Sequence, residues 1–333
     1  MKKYLFLMSF VLLALSCSKD SDSDNATTDG DLRMENSAIT NIYATGSVAE
    51  QTPEQAKETI FGKWDLGSSN SSAKSALKNG CSFESLEFTD DSYLIGISDP
   101  NGESINIYGT YGFEEENDKV VSVQLNTFME GESVMVAEIT DIVVVENNGV
   151  IDIAFTFTFL VDLINYDIPC SEDLNQDYSA EKEEPMEGTL EADENSNHYK
   201  AVGKYIATAY SDSDGWDLDR FLNESCIGYD YNFETGEEIE FTIEDCTPPD
   251  TVQLELSTFG TYLFMDLYQN TPLYIEQGTW AFNEDGNSIT VGGPDNYFFV
   301  VDITELSESG MTMSITEEED GYEYSASWVW TKQ

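Results

Sequence analysis

Residues 151–159 alternate strictly. Ile151, Ile153, Phe155, Phe157 and Phe159 fall on one side, with Asp152, Ala154, Thr156 and Thr158 on the other. A period of two belongs to a β-strand with one face in a core and one towards water. Val134–Val145 has the same β-branched character. It joins the segment beginning at Val150 across Asn147-Asn148-Gly149, which is hairpin-turn chemistry. The chain ends on a second alternating row, with Tyr322, Tyr324, Ala326, Trp328 and Trp330 on one face and Glu323, Ser325, Ser327 and Val329 opposite. Leu86–Ile95 and Leu254–Phe264 read as strands broken by a central turn or bulge, and Tyr229–Ile243 as a strand pair. A single helix start stands out. Thr52-Pro53-Glu54-Gln55 combines a cap, a proline in the first turn and a capping-box glutamine, and predicts about two helical turns leading to Gly62. The chain is therefore expected to be all-β.

Two stretches occur twice in the same order. Phe61-Gly62-Lys63-Trp64 is answered by Val202-Gly203-Lys204-Tyr205, and Gly109-Thr110-Tyr111-Gly112-Phe113 by Gly278-Thr279-Trp280-Ala281-Phe282. Each Gly-Thr stretch, read as a strand start, runs into an acidic turn and then a β-branched strand. Ordered repeats of this length mean a duplicated domain. The repeat resembles the lipocalin-like domains of bacterial lipoproteins, which open with a Gly-X-Trp strand and carry a Gly-Thr-Trp hairpin strand in mid-domain. The resemblance covers most of residues 58–168 and 200–333. It implies two tandem antiparallel β-barrels, with Trp64 closing one end of the first. The second copy has Tyr205 where the family has tryptophan, and a longer stretch between its two motifs.

The N-terminus adds an address. Lys2 and Lys3 precede the apolar run Tyr4–Leu15, and Ala14-Leu15-Ser16-Cys17 resembles a lipobox. The expected organisation is a signal peptide over residues 1–16, a tether over 17–52 lipidated at Cys17, barrels over 53–170 and 198–333, and an acidic linker over 171–197 holding Pro185 and Gly188. Ser18-Lys19-Asp20 looks like a surface-export signal, so the expected location is the outer membrane, facing outward, with the membrane as a partner through the lipid on Cys17.

Charge narrows the partners. Against 65 Asp and Glu stand 14 Lys and Arg, for a net charge of −51, which repels phosphate backbones and argues against nucleic acid. The single histidine, His198, lies in a polar stretch between the repeats and leaves no Ser-His-Asp or Cys-His arrangement. No nucleophile–base constellation marks a reaction, so no enzyme and no cofactor is expected. Asp173, Asn175, Asp177, Glu181 and Glu184 follow calcium-loop spacing, but Tyr178 stands where the turn needs glycine, and no metal site is expected there or at Asp212-Ser213-Asp214-Gly215. Of five cysteines, lipidation of Cys17 leaves Cys81, Cys170, Cys226 and Cys246. An even number in an exported chain favours disulfides, and pairing within repeats gives Cys81–Cys170 and Cys226–Cys246.

Candidate function follows from the inward rows. Phe155, Phe157 and Phe159 of the first repeat and Tyr324, Trp328 and Trp330 of the second would line the barrels and favour a small apolar or aromatic ligand. If the terminal ladder faces outward instead, its rings could stack on sugars; the alternative function is a non-catalytic accessory or adhesive surface module whose filled barrels recognise a protein or glycan by their outer face. Cavity volume separates the two readings.

Overall fold

The computed structural model describes residues 45–333 except 67–80, 90, 100–103, 130–131, 148–149, 161–173, 190–194, 233–236, 244–245, 294–297 and 320–321. The signal peptide, Cys17, Cys170, the turn residues Asn148-Gly149 and Gly236 lie outside the described residues.

The fold is all-β, in two closed antiparallel eight-stranded barrels. A helix α1 (Pro53–Ile60) leads into β2 (Gly62–Asp65), β3 (Ser82–Phe88), β4 (Ser92–Ser98), β5 (Ser104–Glu116), β6 (Lys119–Met129), β7 (Glu132–Asn147), β8 (Val150–Phe159) and β9 (Gln176–Lys182). Each strand pairs with the next, and β9 returns to β2. A short β1 (Gly46–Ser47) adds to β7. The second barrel repeats the plan. Helix α2 (Asn197–Ala201) leads into β10 (Gly203–Asp212), followed by β13 (Thr251–Leu256), β14 (Thr261–Tyr268), β15 (Thr271–Phe282), β16 (Ser288–Gly292), β17 (Phe298–Ser307), β18 (Gly310–Glu319) and β19 (Tyr322–Lys332), with β19 back on β10. Between β10 and β13 an insert carries α3 (Leu218–Asn223) and the hairpin β11 (Ile227–Asn232) and β12 (Glu237–Thr242). This insert accounts for the longer stretch in the second copy.

Two expectations are corrected. The acidic linker 171–197 is not a linker throughout: Gln176–Lys182 is the closing strand of the first barrel, with Tyr178 and Ala180 inward and the acids outward. Hence β8 is not the last strand of its barrel. The Gly-Thr stretches are not strand starts either. They fill the latter parts of β5 and β15.

The repeated residues have physical reasons. Gly62 and Gly203 take φ +127° and +147°, the region that favours glycine, where the chain turns from helix into strand. At Gly109 a Cβ would lie 1.8 Å from the Asn126 carbonyl oxygen, and at Gly278 1.9 Å from that of Gly292, so the next strand crosses where only glycine fits. Trp64 Nε1 donates to the Ile60 carbonyl at 2.8 Å, the last turn of α1. Tyr205 OH donates to the Ala201 carbonyl at 2.9 Å, the last turn of α2. Tyrosine thus does in the second barrel what tryptophan does in the first. Lys182 lies 5.0 Å over the Trp64 ring and Lys332 5.4 Å over Tyr205. Thr52 and Gln55 form the expected capping box.

Candidate functional site

The helices, Trp64 and Tyr205 close one end of each barrel, and strand direction puts Asp212, Asp266 and Tyr324 at the opposite end of the second. What differs between the two inward rows read from the sequence is how far their rings are covered. In the first, Phe155, Phe157 and Phe159 point inward with 3%, 0% and 7% of their surface exposed. Phe157 meets Phe83 at 5.0 Å and Phe159 at 4.8 Å, while Tyr178 lies 5.6 Å from Phe155 and 5.0 Å from Phe83. Phe83 and Phe157 sit on strands separated by two others, so their contact crosses the interior. These three rings meet other rings, as in a packed core.

The terminal ladder also faces inward. Trp328 and Trp330 stack at 5.3 Å, and Phe264 of β14 meets them edge-on at 6.0 and 6.2 Å across the barrel. Trp330 is buried, but Trp328, Phe264 and Phe299 are only partly so, and Tyr324 is half-buried. The insert covers this end. Phe221 of α3 sits 5.0 Å from Trp328 and 5.3 Å from Tyr210, and Tyr210 is 4.4 Å from Trp328. Asp217 caps α3 by accepting from the Arg220 amide at 2.9 Å. The Cys226–Cys246 disulfide ties the hairpin that follows, as the within-repeat pairing expects.

A polar half completes the mouth. Glu276 lies opposite Phe264 in the strand register, and Tyr274 opposite Asp266. Alternation therefore puts Asp266 and Glu276 on the inward face with Phe264. Tyr262 OH donates to Glu276 Oε1 at 2.7 Å and Tyr274 OH to Glu276 Oε2 at 3.3 Å. Asp266 Oδ1 is buried without a hydrogen-bond partner among the described residues. Burial, and then the charge of Glu276, push the Asp266 carboxyl up to about 7. At the rim Tyr210 OH donates to Asp212 Oδ2 at 3.0 Å and lies 3.1 Å from Tyr324 OH. The sequence reading missed Phe221, Asp266 and Glu276. The signal was present, because Tyr262-Phe264-Asp266 and Tyr274-Glu276 are inward rows in which an acid interrupts aromatics.

A second polar cluster lies between the barrels. Glu87 of β3 and Glu255 of β13 occupy matching positions, opposite Lys63 and Lys204 respectively. Both are buried, and burial raises both carboxyls above their ordinary range. Thr261 Oγ1 donates across the interface to Glu87 Oε2 at 2.5 Å, and Lys204 Nζ lies 3.2 Å from Glu255 and 3.7 Å from Asp91. Among the described residues Glu87 Oε1, Glu255 Oε2 and Tyr93 OH have no hydrogen-bond partner, and their residues line a cavity of about 20 Å³. That space suits one water and no organic ligand.

The remaining expected residues are placed as follows. Cys81 is disulfide-bonded, while Cys170 lies outside the described residues. His198 is on α2 rather than in a linker. Its Nε2 accepts from the Phe282 amide at 3.3 Å, its ring lies 5.0 Å from that of Phe282, and burial lowers its pKa. Within the calcium-like spacing, Asn175 Oδ1 accepts from the Phe159 amide and Asp177 Oδ1 from Thr156 Oγ1, both at 2.7 Å, beside and within a strand. Asp212 Oδ1 accepts from the amides of Asp214 and Trp216 at 3.0 and 2.9 Å, which makes that acidic run a turn.

No family model and no curated protein matches the chain. Among solved structures it is similar to a lipocalin-like protein from Bacteroides uniformis, at 13% identity and TM-score 0.24, over 40% of this chain and 99% of that one. It is also similar to a Transferrin Binding Protein B variant from Haemophilus parasuis, at 9% identity and TM-score 0.21, over 75% of this chain and 53% of that one. Likeness at this level carries no argument about ligand or partner. Among the described residues no helix is long and apolar enough to cross a membrane.

Proposed function

We propose that this chain is a non-catalytic, lipid-anchored binding protein of the outer-membrane surface, in which the first barrel is scaffold and the second takes a small apolar or aromatic ligand at its mouth. One observation carries the reading. Phe155, Phe157 and Phe159 of the first barrel are buried, with Tyr111 and Phe113 partly so near its helix-closed end, whereas Trp328, Phe264 and Tyr324 of the second remain partly accessible at the end the α3 insert covers. Aromatic walls with a few placed polar groups are what a small-ligand site needs. The anchor rests on the apolar run ending at Ser16-Cys17.

The test is titration with the neutral fluorescent probe N-phenyl-naphthylamine. Trp328→Ala should weaken binding by about tenfold or more, the loss of one good aromatic contact. Phe157→Ala should leave the affinity of the folded protein unchanged. Equal affinity for wild type and Trp328→Ala would overturn the site. Separately, Cys17→Ala should release the protein from the membrane fraction and remove the acyl mass.

A second reading has its own observation. Val143, Val145 and Val150 are exposed on the outer face of the β7–β8 hairpin. An apolar row on an outer face favours contact with a surface protein. It is compatible with a ligand in the other barrel.

A further inference from the structure

We propose that the ligand of the second barrel is an organic cation, an aromatic or apolar body bearing an ammonium or guanidinium head that binds the Asp266 carboxylate at Oδ1, which has no hydrogen-bond partner among the described residues. This rests on the mouth of the second barrel being the binding site and adds the ligand's charge.

The two acids of the inward face are not equivalent. Glu276 has one tyrosine hydroxyl on each oxygen, so both oxygens already act as acceptors. Asp266 Oδ1 has no partner, and the charge that acts on Asp266 is another carboxylate. A buried carboxylate with a free oxygen is costly. It must be protonated, solvated or met by a positive charge. The surroundings favour the last. Tyr274 lies opposite Asp266 in the register, and Phe264 is two residues away on the same face. Electron-rich ring faces attract cations, most of all where water is excluded. The rim carries Asp212, held by Tyr210. A net charge of −51 draws cations towards the molecule and repels anions.

The lid helix has a cation of its own, Arg220, but it is engaged elsewhere. Its guanidinium lies 4.4 Å over the Trp216 ring, and its Nε is 2.8 Å from Glu224. Both of these contacts lie within the segment Trp216–Glu224.

The proposal is tested with two probes of one shape, naphthylmethylamine and its neutral counterpart naphthalenemethanol, titrated by calorimetry into the mature chain. Salt is held at about 0.15 M, where the Debye length is about 8 Å, so that diffuse attraction is screened and contact pairing remains. The amine should bind about tenfold tighter than the alcohol or better, the size of one desolvated charge pair. Asp266→Asn should erase that preference and leave alcohol affinity unchanged. Trp328→Ala should weaken both probes alike. Equal wild-type affinities overturn the charge assignment while leaving the binding site standing, and this comparison needs no variant to fold. A preference that survives in a folded Asp266→Asn protein also overturns it. If neither probe binds, or if Trp328→Ala changes neither affinity, the site itself is refuted and the charge assignment falls with it.

Discussion

Replacing Phe157 by alanine tests whether the first barrel is scaffold. The side chain has 0% of its surface exposed and meets Phe83 and Phe159 at 5.0 and 4.8 Å. Phe83 belongs to a strand from across the barrel, and the backbone ladders of β7 and β9 hold β8 on both sides, so the walls cannot collapse into the space left. The cost should then sit in the ordinary range for a sealed aromatic, about 3–5 kcal/mol. Trp328 is the larger residue, but it is only partly buried at a mouth. Its truncation should cost less, roughly 1–3 kcal/mol, because part of the ring already faces solvent and forfeits fewer contacts. Urea unfolding followed by peptide-resolved hydrogen exchange reads the two barrels separately, which matters because two docked domains need not unfold as one. Phe157→Ala should speed exchange in β3, β8 and β9, and Trp328→Ala in β10, β19 and the insert. If Trp328→Ala proves the more destabilising, the division into a sealed and an open barrel is wrong.

Gly109→Ala and Gly278→Ala should each prevent their barrel from closing, because the added Cβ would lie under 2 Å from a neighbouring carbonyl oxygen, whereas Gly112→Ala, with nothing within 4 Å, should express and melt near wild type. Soluble yield and circular dichroism separate these outcomes. Tyr205→Phe removes the hydroxyl that caps α2 and should lower stability by about 1 kcal/mol, read as a small fall in Tm. The inter-barrel acids predict a pH dependence. Glu87 and Glu255 are raised by burial above the ordinary 4.5, so their contribution is full below that pH and is lost as pH rises through their folded values. Glu87→Gln keeps an acceptor for Thr261 and should flatten the decline above pH 4.5 in a series of melts. A decline as steep as in wild type would refute the assignment.

The sequence was most legible where one face is buried and the other wet. The row Ile151–Phe159 showed its strand because Thr and Asp alternate with large apolar residues, and the inward assignment of Trp328 and Trp330 follows from the same period. The glycine repeats were legible because backbone geometry tolerates nothing else at Gly62, Gly109, Gly203 and Gly278. The strand Gln176–Lys182 was hidden by its own outer face. Its acids look like linker composition, and only Tyr178 and Ala180 mark the core side. Its counterpart β19 also ends in a lysine lying over an aromatic ring, a match short enough to escape notice. The mouth was hidden for a different reason. Asp266 and Glu276 interrupt aromatic rows, and in a chain with 65 acids one more acid on a strand reads as a solvated face. Only the cross-barrel contact of Phe264 with Trp328 and Trp330 fixes that face as inward.

Duplication gave the chain two copies of one plan, and the copies differ at both ends. At the helix-closed end the substitution is conservative: Tyr205 replaces Trp64 and still reaches the last turn of its helix, and a lysine still lies over the ring. At the opposite end the second copy carries an insert with the Cys226–Cys246 disulfide and a helix that lays Phe221 on Trp328. A closed barrel needs no such cover for its own stability, since closure already removes its edges. A disulfide bridging 20 residues of sequence stiffens the hairpin that follows the helix carrying Phe221, and holding a cover in place is useful where something beneath it comes and goes. The buried inter-barrel acids fit the same division of labour. With Asp91 they join β3 and the turn after it in the first barrel to β10, β13 and β14 of the second through one threonine and one lysine, Thr261 lying on the outer face of β14. The inner face of that strand carries Phe264 and Asp266, so the sealed barrel braces the strand that holds half of the mouth.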